Sequence, residues 1–139
     1  MKNRFALDSR LQNDTDFVID LQLCTVRLMD DAQYPWLILV PQVADVSELH
    51  HLTETQQSLL NQDSNLTSLV LTEVFNPETL NVAALGNIVR QLHVHHVARY
   101  SDDPAWPGPI WGKQPVIQYD SKVKLKLINT LQQAFAKLA

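Results

Sequence analysis

At 139 residues the chain has room for one domain with an adequate core, so a single domain spanning residues 1–139 is expected. Apolar residues make up 45% of it and charged residues 19%, which excludes a disordered or low-complexity chain. A net charge of −4 provides no bulk attraction for nucleic acid or an anionic membrane, so neither is expected as a partner, although a locally positive site could still hold one small anion.

The opening stretch "MKNRFALDSRLQNDTD" lacks the apolar core of a signal peptide. No uninterrupted apolar run approaches the ~20 residues of a membrane helix, and the expectation is a cytoplasmic protein. From Phe17, "FVIDLQLCTVRLMDD" alternates loosely, with Val18, Asp20 and Gln22 on one face and Ile19, Leu21 and Leu23 on the other. This predicts one or two strands near a sheet edge. Cys24 lies within this stretch. As the chain's single cysteine it rules out an internal disulfide, fits a reducing compartment, and reads as a small buried hydrophobe. After a turn at Tyr34-Pro35, the run Trp36 to Val40, stopped by Pro41, has the look of a buried central strand.

Ser47 and Thr53 are potential N-caps, and Thr53 with Gln56 has capping-box form. Leu59, Leu60, Leu66, Leu69 and Val70 recur at helical spacing, which predicts a long helix over about 54–75, ended by Asn76-Pro77. His50 and His51, near a helix start, read as exposed. "TLNVAAL" and "LHVHHVARY" follow as two strands joined around Gly86-Asn87. "DDPAWPGPIWG" holds three prolines and two glycines in eleven residues and reads as an irregular loop. Its tryptophans, Trp106 and Trp111, could pin the loop to the domain or stack on a ligand. Val123, Leu127, Leu131 and Phe135 then mark a C-terminal amphipathic helix capped by Asp120 or Ser121. The order β-β-β-α-β-β-α, with short adjacent strands, favours an α+β domain: an antiparallel sheet of about five strands with two main helices. Gly86, Gly108 and Gly112 are the only glycines, too few for a phosphate-cradling or dinucleotide-binding loop.

Three of the five histidines fall at 93, 95 and 96. In a strand, Gln91, His93, His95, Val97 and Arg99 share one face, and Leu92, Val94, His96 and Ala98 share the other. The first face suits phosphorus chemistry. One neutral imidazole can attack phosphorus, a second can donate a proton, and Arg99 can grip phosphate oxygens with its planar fork. The rival readings are ordinary polar strand residues and a metal site. Metal is disfavoured because His96 faces away from His93 and His95, and Arg99 would repel a cation. No metal or cofactor is therefore expected.

"GNIVRQLHVHHVAR", together with "NVAALGN" and "DPAWPGPIWG", resembles the signature of the histidine triad superfamily, and "DDAQYPWLILVPQ" and "ELHHLT" extend the resemblance over most of the chain. The resemblance implies an antiparallel sheet flanked by two helices and a homodimer with a sheet continuous across the interface. It also implies hydrolysis or transfer at the α-phosphate of a nucleotide conjugate through a nucleotidyl-histidine. By position, the nucleophile falls on His93 and the last motif histidine, a proton donor or phosphate contact, on His95. The phosphate-binding amide falls on Asn87, and Asp30 or Asp31 is a ribose-hydroxyl candidate.

Three positions depart from the pattern. The first motif histidine is Gln91, which cannot titrate and is expected to orient the phosphate or a water. The fourth, more distant histidine is Trp36, which leaves no obvious group to tune the nucleophile. His96 stands where an apolar residue is usual and reads as a tolerated change on the packed side, near an accessible edge. A nucleotide-binding protein with little catalysis is therefore one alternative, and a metal-dependent hydrolase a more distant one.

Overall fold

The computed structural model describes residues 4–139. In chain order the elements are α1 (Ser9–Asp14), β1 (Thr15–Asp20), β2 (Cys24–Met29), β3 (Trp36–Pro41), α2 (Glu54–Phe75), β4 (Thr79–Ala84), β5 (Val94–Arg99) and α3 (Ser121–Leu138). The strands form one antiparallel sheet in the order β1-β2-β3-β5-β4.

β3 is covered on both faces, which is why its sequence reads as a continuous apolar run. Leu37 and Leu39 join a core with Val26, Val70, Leu71, Leu131 and Phe135, beneath α2 and α3. Trp36, Ile38 and Val40 join a second cluster with Leu11, Tyr34, Val97, Ala105 and Ile110, beneath α1 and the loop after β5. His93 and His95 lie on this second side.

The predicted long helix is present with its capping box: the Thr53 hydroxyl accepts from the Gln56 amide, and the Gln56 side chain accepts from the Thr53 amide. Asn76 ends it in the left-handed conformation at φ 47°. α3 begins at the predicted cap, with the Asp120 carboxylate accepting from the amides of Lys122 and Val123. Its apolar stripe starts later than expected, because Val123 is exposed while Leu127 and Leu131 pack.

Three local expectations change. Ser47 caps no helix; the amides of Ser47 and Glu48 instead donate to Nδ1 of His51, within a single 3₁₀ turn, Leu49–His51, on which both histidines are exposed. α1 was not foreseen: six residues are too few to display a helical apolar period, and only Asp8, whose side chain accepts from the Arg10 amide, announces it. β5 begins at Val94, so Gln91 to His93 form an irregular entry to the strand. No described helix is long and apolar enough to cross a membrane.

Candidate active site

The β3–β5 register builds the site. Ile38 sits opposite His95 and Trp36 opposite Val97, which places the Trp36 indole diagonally beside His95 on the same face. The Trp36 Nε1–H donates to His95 Nδ1 at 2.9 Å. An indole N–H can only donate, so His95 Nδ1 must accept, and the neutral ring carries its proton on Nε2. Burial, with His93 and His96 nearby, pushes the His95 pKa down to about 3, so the ring is neutral at physiological pH. The Trp111 ring meets the same imidazole edge-on, with centroids 5.4 Å apart.

His93 is fixed by a different partner. Its Nδ1 lies 2.7 Å from the Gln91 backbone carbonyl. A carbonyl only accepts, so Nδ1 carries the proton and the Nε2 lone pair is left over. The rings of His93 and His95 are 5.0 Å apart and T-shaped. Each of the two residues retains only 6% of its surface. A free imidazole lone pair thus stands next to a ring whose remaining N–H points from Nε2.

The Gln91 side chain does not face this pair as a free amide. Its Oε1 accepts the Asp8 amide and its Nε2 donates to the Ala6 carbonyl, both at 2.8 Å. Arg10 adds a bond to the Ile88 carbonyl. Together they fasten the segment Phe5–Asp14, whose Phe5, Leu7 and Leu11 pack into the Trp36 cluster. The expected role of Gln91 in orienting phosphate or water is replaced by that of a latch.

Arg99 also departs from its expected role. It is 1% exposed, and its guanidinium is spent on Asp103 (2.7 and 3.0 Å), Asn81 Oδ1 (2.6 Å) and the Gly108 carbonyl (2.8 Å), with Trp106 5.6 Å beneath. Four of its five N–H donors are engaged and the group is buried, so Arg99 holds the loop after β5 instead of presenting a fork to phosphate. Asp31 is buried and accepts from the amide and side chain of Gln33, and Asp30 accepts from the Tyr119 amide and Lys124. Asp31 also accepts from the Ile117 amide at 3.5 Å, so both carboxylates fasten the chain ahead of α3, although Asp30 also edges a cavity of about 260 Å³ with Asn13, Met29 and Gln118. Asn87 is exposed on a cavity of about 550 Å³ with Glu48, Gly86 and Arg90, and its amide has no hydrogen-bond partner among the described residues.

His96 is not near an accessible edge. It is fully buried, with Nδ1 against the Val94 carbonyl and Nε2 2.7 Å from the Ser64 hydroxyl on α2. Burial lowers its pKa to about 4, so it too is neutral.

Trp36, which sequence reasoning treated as a loss, turns out to be the partner of His95. Trp111 and Tyr34 carry buried polar atoms with no hydrogen-bond partner, Nε1–H and the hydroxyl respectively. The "PIWG" stretch signalled a tryptophan here but not its unsatisfied donor. Among the described residues no group of three or more His, Cys, Asp or Glu side chains is arranged to hold a metal ion.

The family model described as HIT domain matches residues 10–102. A crystallised histidine triad protein from Marinobacter aquaeolei is 44% identical, with 99% of this chain and 100% of that one covered and a TM-score of 0.94. A histidine triad protein from Bradyrhizobium japonicum is 41% identical, covering 96% and 99%, with a TM-score of 0.93. A diadenosine triphosphate hydrolase from Plasmodium falciparum shares the fold at 12% identity, covering 99% and 87%, with a TM-score of 0.66. No curated protein matches the chain.

Proposed function

Because the chain belongs to the HIT domain family, we propose that it is a nucleotide hydrolase or transferase working through a nucleotidyl intermediate on His93. One observation carries the reading: the two imidazoles are held in complementary tautomers. His93 presents a lone pair and His95 an N–H, with ring centroids 5.0 Å apart.

In the first step His93 Nε2 forms a bond to the α-phosphorus as the leaving group departs with its electron pair. The His95 Nε2–H donates a hydrogen bond to a phosphate oxygen and stabilises the charge that develops there. The partnerless Asn87 amide and Trp111 N–H are further donors that phosphate oxygens would satisfy. In the second step water attacks phosphorus and the N–P bond breaks, returning neutral His93. The diadenosine triphosphate hydrolase of the same fold gives the substrate class a precedent.

The test is turnover of a fluorogenic adenosine phosphoramidate and a dinucleoside polyphosphate by wild type and His93→Ala, with and without chelator. Chelator-resistant turnover of at least the dinucleoside polyphosphate that vanishes in the variant is expected. Nucleotide affinity with no turnover in either protein would favour the binding-only reading, and chelator-sensitive turnover a metal-dependent hydrolase. The proposal includes a homodimer. β4 is an outer strand with one free edge, and Leu49, Leu60, Val82 and Ala84 line an apolar cavity of about 360 Å³ beside it. Light scattering that shows a monomer at micromolar concentration would count against it.

A further inference from the structure

The tautomers and partners of the site restrict which leaving groups it can expel; this rests on His93 as nucleophile. A phosphate or acidic phenoxide leaves phosphorus as a stable anion. An alkyl amine leaves only if it receives a proton as its bond to phosphorus breaks. We propose that the protein acts on nucleotide conjugates whose leaving group departs as a stable anion, above all phosphoanhydrides, and discriminates against alkyl phosphoramidates, because among the described residues no side chain beside His93 is placed to supply that proton.

The groups around the pair can be taken in turn. His95 is the nearest. Protonating it would require a hydrogen on Nδ1, where the Trp36 Nε1–H already points at 2.9 Å, so two donors would face each other. Its Nε2–H remains, but a neutral imidazole holds that proton too tightly to release it. Burial and the neighbouring His93 and His96 act in the same direction. Trp36 itself is a donor that does not ionise.

At position 91 an amide stands where the family pattern has an imidazole, and both its ends are bound to the backbone of residues 6 and 8. The His93 Nδ1 proton is held by the Gln91 carbonyl, which has no use for it. The Arg99 guanidinium is bound through four of its N–H groups and does not deprotonate. His96 lies across the sheet and is sealed. The Tyr34 hydroxyl is buried, and burial with the charges of Asp103 and Asp31 raises its pKa against the opposing charge of Arg99, which keeps its proton in place. Of these groups, taken among the described residues, none is placed to transfer a proton to a leaving group at neutral pH.

In the proposed reaction, His93 Nε2 donates its electron pair to phosphorus and the P–O bond to the leaving phosphate breaks. The phosphate departs with that pair, and no proton moves. Water then cleaves the N–P bond, giving a nucleoside monophosphate and releasing a proton to solvent. With an alkyl amine the same step would expel an amide anion.

The experiment measures kcat/KM, which reports steps through formation of the N–P bond. The substrates are adenosine 5′-aryl phosphates with phenol pKa values from about 5 to about 10, a dinucleoside polyphosphate and an alkyl adenosine phosphoramidate. We expect a steep fall with rising phenol pKa, and the phosphoramidate at least ~10²-fold below the anhydride, the usual range of general-acid assistance. Trp36→His, which places a titratable ring beside His95, should narrow that gap. Equal kcat/KM across the aryl series, or a phosphoramidate as good as the anhydride, would overturn the inference while leaving His93 chemistry intact. No turnover of any member would overturn the hydrolase reading and this inference with it. The wild-type series alone decides, so a variant that fails to fold does not affect the outcome.

Discussion

Replacing Arg99 with methionine should cost stability and leave nucleotide affinity nearly unchanged. The two side chains of the Arg99–Asp103 pair are only 2% and 5% exposed. Methionine keeps most of the buried stem but strands the Asp103 carboxylate, and breaking a buried ion pair from one side costs about 3–5 kcal/mol. Asn81 is half-buried and can turn to water, so its lost bond adds little. For a chain of this length each kcal/mol lowers Tm by roughly 2–4 °C, which gives a drop of roughly 6–20 °C.

The sign can be checked through Asp103. Burial opposes its ionisation, but the bond from Arg99 and the amides of Tyr100 and Ala105 outweigh it, so its pKa lies below the ordinary 3.8. A depressed carboxylate stabilises the fold above its unfolded pKa and ceases to do so as pH falls through the folded value. At neutral pH the contribution is therefore fully present, and thermal unfolding at pH 7 is the appropriate assay. Adding Asp103→Asn to Arg99→Met should recover part of the loss, because the stranded charge is gone and the two effects do not add. A Tm within about 2 °C of wild type, combined with a large rise in nucleotide KM, would refute the reasoning and return Arg99 to the phosphate; unfolding shifts of that size fall below one kcal/mol here.

Other predictions concern the histidines and their surroundings. His95 and His96 titrate at about 3 and about 4 in the fold against an ordinary 6.5, so the unfolded chain binds more protons, and stability should fall as pH drops below 6.5. The slope should approach about 1.4 kcal/mol per pH unit for each histidine, and His96→Val should remove one of the two contributions in denaturant titrations run from pH 7 to 4.5. Trp36→Phe removes the donor at His95 Nδ1, and the NMR titration of the His95 Cε1–H should move up toward 6.5; no movement would show that burial alone sets it. Gln91→Ala should speed amide hydrogen exchange across residues 5–14, with a stability loss of about 1–3 kcal/mol from the two stranded backbone groups. Cys24 is fully buried, and burial together with Asp63 pushes its thiol up, so it should not react with an aromatic disulfide reagent until the protein unfolds.

Features that depend on near neighbours in sequence were legible. The Thr53–Gln56 box and Asn76-Pro77 bound α2 through contacts a few residues apart, and period-two alternation placed His93 and His95 together and His96 opposite. What escaped depends on partners brought from far away. Trp36 is 59 residues from His95, and only the β3–β5 register makes it that ring's donor. Gln91 is bound to residues 83 and 85 positions earlier. Arg99 finds Asp103 one helical turn's worth of sequence away, but in a loop whose shape no periodicity describes. Alternation reports which face a side chain takes, not whether its hydrogen-bonding capacity is already spent. By that second criterion Arg99, Gln91, Asp30 and Asp31 are occupied, while His93 Nε2, His95 Nε2–H, the Asn87 amide and the Trp111 N–H remain open. A nucleotide phosphate needs one nucleophile and several donors, and the proposed function draws them from these four groups.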